Sequence, residues 1–300
     1  MKKSIALVAM AFGVTNAFAQ DLTSKKGEPF LPEAGDYAIG VDATPFLNYV
    51  GNFFGKTAAN AAPNWNFLTG NNTITGKYFK DANTAYRASL RLGFNSGTTK
   101  AQIAQPVATA PTFPTVPTMV EDKRKASNTN IGISVGLEKR RGKTRLQGIY
   151  GAEVGFGINT SGEKYTYGNA LAPTGTPVVT VANSTNFGTN ITTDTYGNAA
   201  RVTQRKNGLG FMFGVRGFVG AEYFVAPKVS IGGEFGWGIG LGIQGKSKTT
   251  TESIGIDGGG NSVVGTQETT GGKSSWFGFD TDNSNSFFGP TGTIRLNFHF

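Results

Sequence analysis

The stretch at residues 229–243 reads VSIGGEFGWGIGLGI, and it decides the fold. From Val229 its odd positions carry Val, Ile, Gly, Phe, Trp, Ile, Leu and Ile, whereas from Ser230 its even positions carry Ser, Gly, Glu and then only Gly. A period of two predicts a β-strand with one apolar face and one face of small or polar residues. Because the second face is mostly glycine, the strand suits the cramped interior of a small barrel whose apolar exterior faces lipid.

The same alternation recurs in seven further segments. They lie at residues 37–43, 73–79, 86–94, 131–138, 146–158, 211–223 and 293–300. An even number of strands brings both termini of a closed antiparallel barrel to one side. The pattern therefore predicts an all-β protein, a transmembrane antiparallel up-and-down β-barrel of eight strands. A barrel of ten strands is the alternative, if 275–280 forms part of another hairpin.

Short and long connections alternate between these segments. Tight turns are expected at 80–83, 140–143 and 226–228, and long connections at 45–72, 97–128, 160–207 and 247–290. Outer-membrane barrels have this arrangement, with short periplasmic turns and long extracellular loops.

The N-terminus has the pattern of a secretory signal peptide. Lys2 and Lys3 precede an apolar run at 5–14, and 17–19 reads AFA, a small-x-small cleavage site. The run is too short to cross about 30 Å of hydrocarbon. We expect 1–19 to be the signal peptide, 20–35 a periplasmic N-terminal segment and 36–300 the outer-membrane barrel, with both termini periplasmic.

Three segments carry a resemblance to a known family. They read GDYAIGVDATPFLNY (35–49), TGKYFKDANTAYRASLRLGF (75–94) and GAEYFVAPKVSIGGEFGWG (220–238). They resemble small outer-membrane β-barrel proteins of Bacteroidetes-type bacteria, and the fold is similar to the barrel of outer membrane protein A without its periplasmic domain. The last strand looks like the C-terminal signal that the outer-membrane assembly machinery recognises, with Ile294, Leu296, Phe298 and Phe300 at alternate positions. The resemblance implies an architecture and a Gram-negative outer membrane, but no activity.

Charged residues occupy inward positions of the predicted strands. An eight-stranded barrel is just wide enough for its side chains to fill the lumen. Ions in such an interior must pair, because burial removes their hydration. We therefore expect an ion-pair network that plugs the lumen, formed by Asp42, Glu138, Glu153, Glu222 and Glu234 with Arg87, Arg91, Arg216 and Arg295. A path for protons or small ions through the lumen is the alternative.

Two of these carboxylates, Glu222 and Glu234, flank the 226–228 turn at similar depth. Arg216 lies about six residues above Glu222, or roughly 20 Å at strand rise, and is therefore a poor partner for it. We expect Arg87, Arg91 or Arg295 to neutralise the acidic pair from other strands.

The composition argues against an enzyme and against a metal or cofactor site. Of the 300 residues none is Cys and only His299 is His, which removes thiolate and multi-His sites. His299 is expected at the periplasmic end of the barrel. Barrel hydrolases resemble one another in having their general base near the extracellular rim, far from that position. The GxGxxG pattern at 240–245 lies within a strand and no helix follows it, so it predicts no dinucleotide site.

The charge distribution indicates lipid rather than nucleic acid as the partner. The net charge is +9, and the basic residues are scattered over turns and loop bases, where they can meet lipid head groups. Lys246 and Lys248 could meet anionic lipopolysaccharide. The third connection is uncharged from 165 to 193, which suits recognition of an envelope or surface protein.

Two functions compete: a non-enzymatic barrel acting in envelope structure or surface recognition through its loops, and a narrow, porin-like channel for small solutes or ions.

Overall fold

The computed structural model describes residues 22–55, 74–173, 178–185, 187, 190–280 and 292–300. The predicted signal peptide and most of the predicted 45–72 connection lie outside these residues. In the part of the chain that is described, no helix is long and apolar enough to cross a membrane.

Eight antiparallel strands close into one ring. They are β1 (Tyr37–Asp42), β2 (Ile74–Asp81), β3 (Thr84–Ala104), β4 (Met119–Arg141), β5 (Leu146–Thr166), β8 (Gly210–Ala226), β9 (Val229–Gln244) and β13 (Gly292–His299). Each strand pairs with the next in this order, and β13 pairs with β1 to close the ring. The predicted eight-stranded antiparallel barrel is confirmed.

The remaining elements lie outside the ring. They are helix α1 (Thr44–Phe54), a short 3₁₀ helix (Val181–Asn183) and strands β6 (Ile191–Thr193), β7 (Ala199–Lys206), β10 (Lys248–Ile256), β11 (Ser262–Thr270) and β12 (Ser274–Asp280). Strand β7 pairs with β5, β6 and β10, and β10 pairs with β11. We call β6, β7, β10 and β11 the outer layer. Strand β12 pairs with β9 beyond the end of β13 and leaves the ring at eight strands.

Tight turns join β2 to β3, β4 to β5 and β8 to β9 at one end of the barrel, which we call the turn end. The β8–β9 turn is Pro227–Lys228, and Lys228 has a φ of 59°. Pro227 at the first central position and a positive φ at the second are typical of a type II turn.

Three of the predicted loops contain strands, which corrects the sequence prediction. Strands β3 and β4 stay paired from Thr84 opposite Lys139 to Ala104 opposite Met119, so only 105–118 connects them. The predicted 160–207 and 247–290 connections contain β6, β7, β10, β11 and β12. Strand β11 reads SVVGTQETT and is exposed on both faces, so it carries no sustained apolar alternation.

The faces of the ring are inverted relative to a soluble protein. Most of the large apolar residues of β3, β4, β8 and β9 point outward, with 39–60% of their surface exposed. They include Leu90, Leu92, Ile133, Val135, Phe211, Phe213, Val215, Val219, Phe235, Trp237, Ile239 and Leu241. We call this surface the apolar belt. Charged side chains occupy the interior, among them Arg87, Glu138, Arg216 and Glu222.

The segment before β1 packs across the turn end. Phe30 is buried, and the Arg145 guanidinium lies 3.5 Å from its ring centroid. The Lys228 amide donates to the Phe30 carbonyl, and its ammonium pairs with Asp36. Residues 22–36 therefore cover this end of the barrel.

Candidate functional site

The interior of the barrel near the turn end is the most densely charged part of the described chain. Alternation along the ring strands turns charged residues inward, one each from β5 and β9 and two each from β4 and β8. Glu153 lies directly opposite Arg216 in the β5–β8 ladder, and Glu234 lies opposite Gly220 in the β8–β9 ladder. Strand register therefore brings acids and bases from seven of the eight ring strands into one narrow space.

Glu234 is the first centre of this cluster. Arg87 donates to both of its carboxylate oxygens, at 2.9 and 3.2 Å, and Arg216 donates to Oε1 at 2.7 Å. Arg295 Nη2 lies 3.7 Å from the same Oε1. Three guanidinium groups from β3, β8 and β13 thus surround one carboxylate.

Glu222 is the second centre. Arg140 Nη1 lies 2.7 Å from its Oε2, and Lys77 Nζ lies 3.8 Å from the same atom. Ser230 Oγ and Asn297 Nδ2 donate to Oε1 at 2.5 and 2.6 Å. This fully buried carboxylate therefore has hydrogen bonds at Oε1 and ion pairs at Oε2.

Two further carboxylates join the centres into one network. Glu138 accepts from Lys77 at 3.0 Å and Arg140 at 3.3 Å, and its Oε2 lies 3.7 Å from Arg87 Nη1. Glu153 accepts from Arg216 Nη1 at 2.9 Å and lies 3.4 Å from Arg87 Nε. We call the four glutamates with Lys77, Arg87, Arg140, Arg216 and Arg295 the lumen network.

Aromatic rings close the lumen network toward the turn end. The Arg140 guanidinium lies 5.2 and 5.6 Å from the ring centroids of Phe79 and Phe224, which are fully buried. Arg87 stacks on Phe218 at 4.2 Å. Such contacts hold a cation without exposing it to water.

The structure brings most of the expected lumen residues together. Arg87, Glu138, Glu153, Arg216, Glu222, Glu234 and Arg295 all take part in the ion pairs above. Arg91 lies on the same face of β3, four residues further from the turn end, and is half-buried. The backbone of Asp42 pairs with that of Arg295, and its side chain lies outside what the structure describes. Arg216 contacts Glu153 and Glu234, while Glu222 takes other partners.

Sequence reasoning missed the two cations that neutralise Glu222. Arg140 was expected in a turn, which is wrong, because β4 runs to Arg141 and continues the alternation from Glu138 by one step. Lys77 lies in the weakly patterned β2, on the same face as Thr75 and Phe79. In both strands, the alternation of inward and outward positions indicates that these side chains point into the lumen.

The residues of the expected assembly signal lie on the outward face of β13. Ile294, Phe298 and Phe300 are exposed and Leu296 is half-buried. The Tyr37 and Phe300 backbones exchange two hydrogen bonds, of 2.8 and 2.9 Å, so the end of the chain is joined to the start of β1.

Ser230, His299 and Glu222 form a buried group that lacks the geometry of a catalytic triad. Ser230 Oγ lies 3.1 Å from His299 Nε2, and Glu222 Oε1 lies 3.5 Å from that same nitrogen. A triad needs the acid on the other ring nitrogen, where it sets the tautomer. All three side chains are buried, so no substrate reaches them. Within the described ranges, no three His, Asp or Glu side chains converge as metal ligands.

The outer layer has ion pairs and hydrogen bonds of its own. Arg201 donates to Glu252 at 2.6 Å and to the Asn169 carbonyl at 2.8 Å, and stacks on Tyr167 at 4.1 Å. Asp122 is fully buried and accepts from two backbone amides, Gly168 at 2.8 Å and Thr185 at 2.7 Å. The Asp122 contacts join Gly168 and Thr185 to β4.

Asp194 organises the tip of the outer layer. It accepts from Ser253 Oγ at 2.7 Å and from the Asn198 and Tyr196 amides at 2.8 and 2.9 Å. The Ser253 hydrogen bond, followed by those of Asn198 and Tyr196, lowers its pKa to about 2.

The comparison with known proteins assigns no family to this chain. No family model and no curated protein matches the chain. A solved structure, the crystal structure of a major outer membrane protein from Thermus thermophilus, is 13% identical, with 88% of this chain and 98% of that chain covered. Its TM-score of 0.22 is too low for the likeness to carry an argument.

Proposed function

We propose that this protein is an integral outer-membrane β-barrel without enzymatic activity. Its lumen is filled by side chains, and its outer layer acts in envelope structure or surface recognition. The observation that carries the proposal is the combination of an apolar exterior with a charged, buried interior in one closed ring.

The apolar belt supports a membrane location. Soluble monomers rarely expose contiguous apolar patches of more than a few hundred Å². Here outward Phe, Trp, Ile, Leu and Val residues follow each other along adjacent strands. A closed ring also satisfies its backbone hydrogen bonds internally, as hydrocarbon requires.

The lumen network supports a structural barrel rather than a channel. Its four glutamates and five cations are nearly balanced in charge, and each glutamate lies within 4 Å of at least two cations. A solute would have to separate these pairs, and breaking a buried pair costs about 3–5 kcal/mol. The porin-like alternative is therefore the weaker one.

The unequal ends of the barrel support its orientation. We place the turn end, with both termini, in the periplasm and the outer layer outside the cell. The outer layer is then available to a surface protein, and Lys246 and Lys248 can meet lipopolysaccharide. Strand β13 would be the element that the assembly machinery recognises.

Two tryptophans on opposite faces test the membrane location. Trp237 lies in the apolar belt, whereas the Trp276 ring lies against the inward positions Gly240 and Gly242. Two variants, each keeping one of them and carrying Trp65→Phe, are refolded into vesicles whose acyl chains are brominated. We expect strong quenching of Trp237 and weak quenching of Trp276. An unquenched Trp237 in folded protein would contradict the proposal.

Epitope tags test the orientation. A tag within 109–118, in the β3–β4 connection, should bind antibody on intact cells, while a tag at Lys143, in the β4–β5 turn, should bind only after permeabilisation. Surface exposure of the Lys143 tag would overturn the orientation.

A further inference from the structure

The outer face of the barrel carries a groove across β1 to β4. Its volume is about 750 Å³, and its lining includes Tyr37, Tyr78, Tyr86, Leu137 and Phe300. The groove therefore lies toward the turn end of the apolar belt.

Two small outward residues form the floor of the groove. Gly76 lies opposite Ile39 on one side and Ala88 on the other, so a glycine and an alanine stand side by side on the outward face. Tyrosine side chains border these two residues, and the ring centroids of Tyr37 and Tyr78 lie 5.1 Å apart. A Cβ at Gly76 would meet no atom within 4 Å, so the space above it is open.

Exposed cations lie just beyond the groove toward the turn end. Lys80 follows the lining residue Tyr78 by two positions on β2, and Lys139 follows Leu137 by two on β4. Two residues correspond to roughly 7 Å along a strand. Arg141 continues the same outward face. Tyrosine rings followed by Lys and Arg are typical of the boundary between hydrocarbon and head groups.

We propose that this groove binds one phospholipid molecule. An acyl chain lies over Gly76 and Ala88 between the tyrosine rings, and the phosphate contacts Lys80, Lys139 and Arg141. The inference rests on the proposed membrane location, which places the turn end in the phospholipid leaflet. Charge complementarity selects the occupant, since an apolar slot that leads to three cations matches an acyl chain joined to a phosphate.

A second copy of the chain fits the groove less well. A stable protein interface uses about 20–30 residues from each partner, whereas thirteen line the groove. A two-fold dimer places the same patch of both copies face to face. Two concave surfaces would leave a void, and the cations of both copies would face each other.

Filling the groove tests the proposal. Gly76→Phe places a ring in the open space, and Gly233→Phe is the matched control, because Gly233 also points outward with no atom near its Cβ position. Each protein is refolded in detergent, checked for the heat-modifiable folded form, and mixed with phosphatidylglycerol for native mass spectrometry. We expect wild type and Gly233→Phe to retain one lipid, and Gly76→Phe to lose it.

Removing the cations tests the head-group contact. The double variant Lys80→Gln/Lys139→Gln should lower lipid retention at least about tenfold, while Lys125→Gln, on β4 but far from the turn end, should leave it unchanged. Retention of lipid by folded Gly76→Phe, or a mass shift of a second protein chain instead of a lipid, would overturn the inference. The quenching of Trp237 decides the membrane location separately, so the two failures are distinguishable.

Discussion

The lumen and the outer layer each bury an arginine beside glutamate, but they surround it differently. Arg216 in the lumen contacts Glu153 and Glu234, whose side chains are at most 4% exposed. Arg201 in the outer layer contacts Glu252, whose side chain is 22% exposed. Water therefore screens the outer pair in part and hardly reaches the lumen pairs. An arginine–glutamate pair is therefore shielded from water in the lumen and partly hydrated in the outer layer.

The two regions also differ in how their contacts form. Arg87 and Glu234 lie 147 residues apart, on β3 and β9, so their contact forms only when the ring has closed. The outer layer joins neighbouring hairpins and hydrogen-bonds largely through its backbone. We expect the lumen network to unfold with the whole barrel, and the outer layer to open locally.

The largest effect is expected in the lumen. Arg87→Met removes a partner from Glu234, Glu153 and Glu138 together, leaving buried carboxylates with fewer cations. It should lower the free energy of unfolding by about 3–5 kcal/mol. Guanidinium unfolding in vesicles measures the change.

The control for Arg87→Met is a surface pair on β4, far from the turn end. Lys123→Met removes an exposed contact with Glu121 and should change stability by less than about 1 kcal/mol. Equal effects of the two substitutions would mean that the lumen is hydrated, and a pore would then become the better interpretation.

A smaller, local effect is expected in the outer layer. Arg201→Met removes charge-assisted hydrogen bonds to Glu252 and to the Asn169 carbonyl, worth about 1.5–3 kcal/mol. Proteinase K should then cut the outer layer faster while the barrel keeps its unfolding midpoint. Lys248→Met, which removes an exposed pair in the same layer, should leave cleavage unchanged. A drop in the barrel midpoint for Arg201→Met would show that the regions are coupled.

The smallest effect concerns the pH dependence of the outer layer. Because the folded pKa of Asp194 is about 2, below its ordinary 3.8, the carboxylate stabilises this tip above pH 4. That contribution is lost as the pH falls through 2. The ¹³C shift of the Asp194 carboxyl should titrate near 2, and Asp194→Asn should remove the acid-dependent loosening of 194–198. A midpoint near 4 would contradict the observed hydrogen bonds.

Strands with one apolar face could be predicted from the sequence, and strands without one could not. The alternation at 229–243 is a consequence of two unlike environments, and β9 follows it. Thr98, Lys100 and Gln102 continue β3 with both faces exposed, so no contrast between faces marks them as strand. Pairing with β4 through the backbone extends the strand there.

The lumen could be predicted in composition but only partly in pairing. Alternation alone indicates that Arg87, Glu153, Arg216 and Glu234 point inward. Which of them meet depends on strand stagger, and this is why Glu222 takes Arg140 and Lys77 rather than the expected Arg87, Arg91 or Arg295. Stagger is set by contacts between distant strands, and a single sequence carries no direct record of it.

The conductance of wild-type protein in a planar bilayer tests the central claim most directly. Samples are first shown to be inserted by heat modifiability and by quenching of Trp237. A lumen closed by the network of Glu138, Glu153, Glu222 and Glu234 with their cations predicts silent membranes across the applied voltages. Reproducible single-channel openings from the inserted wild-type barrel would contradict a closed lumen.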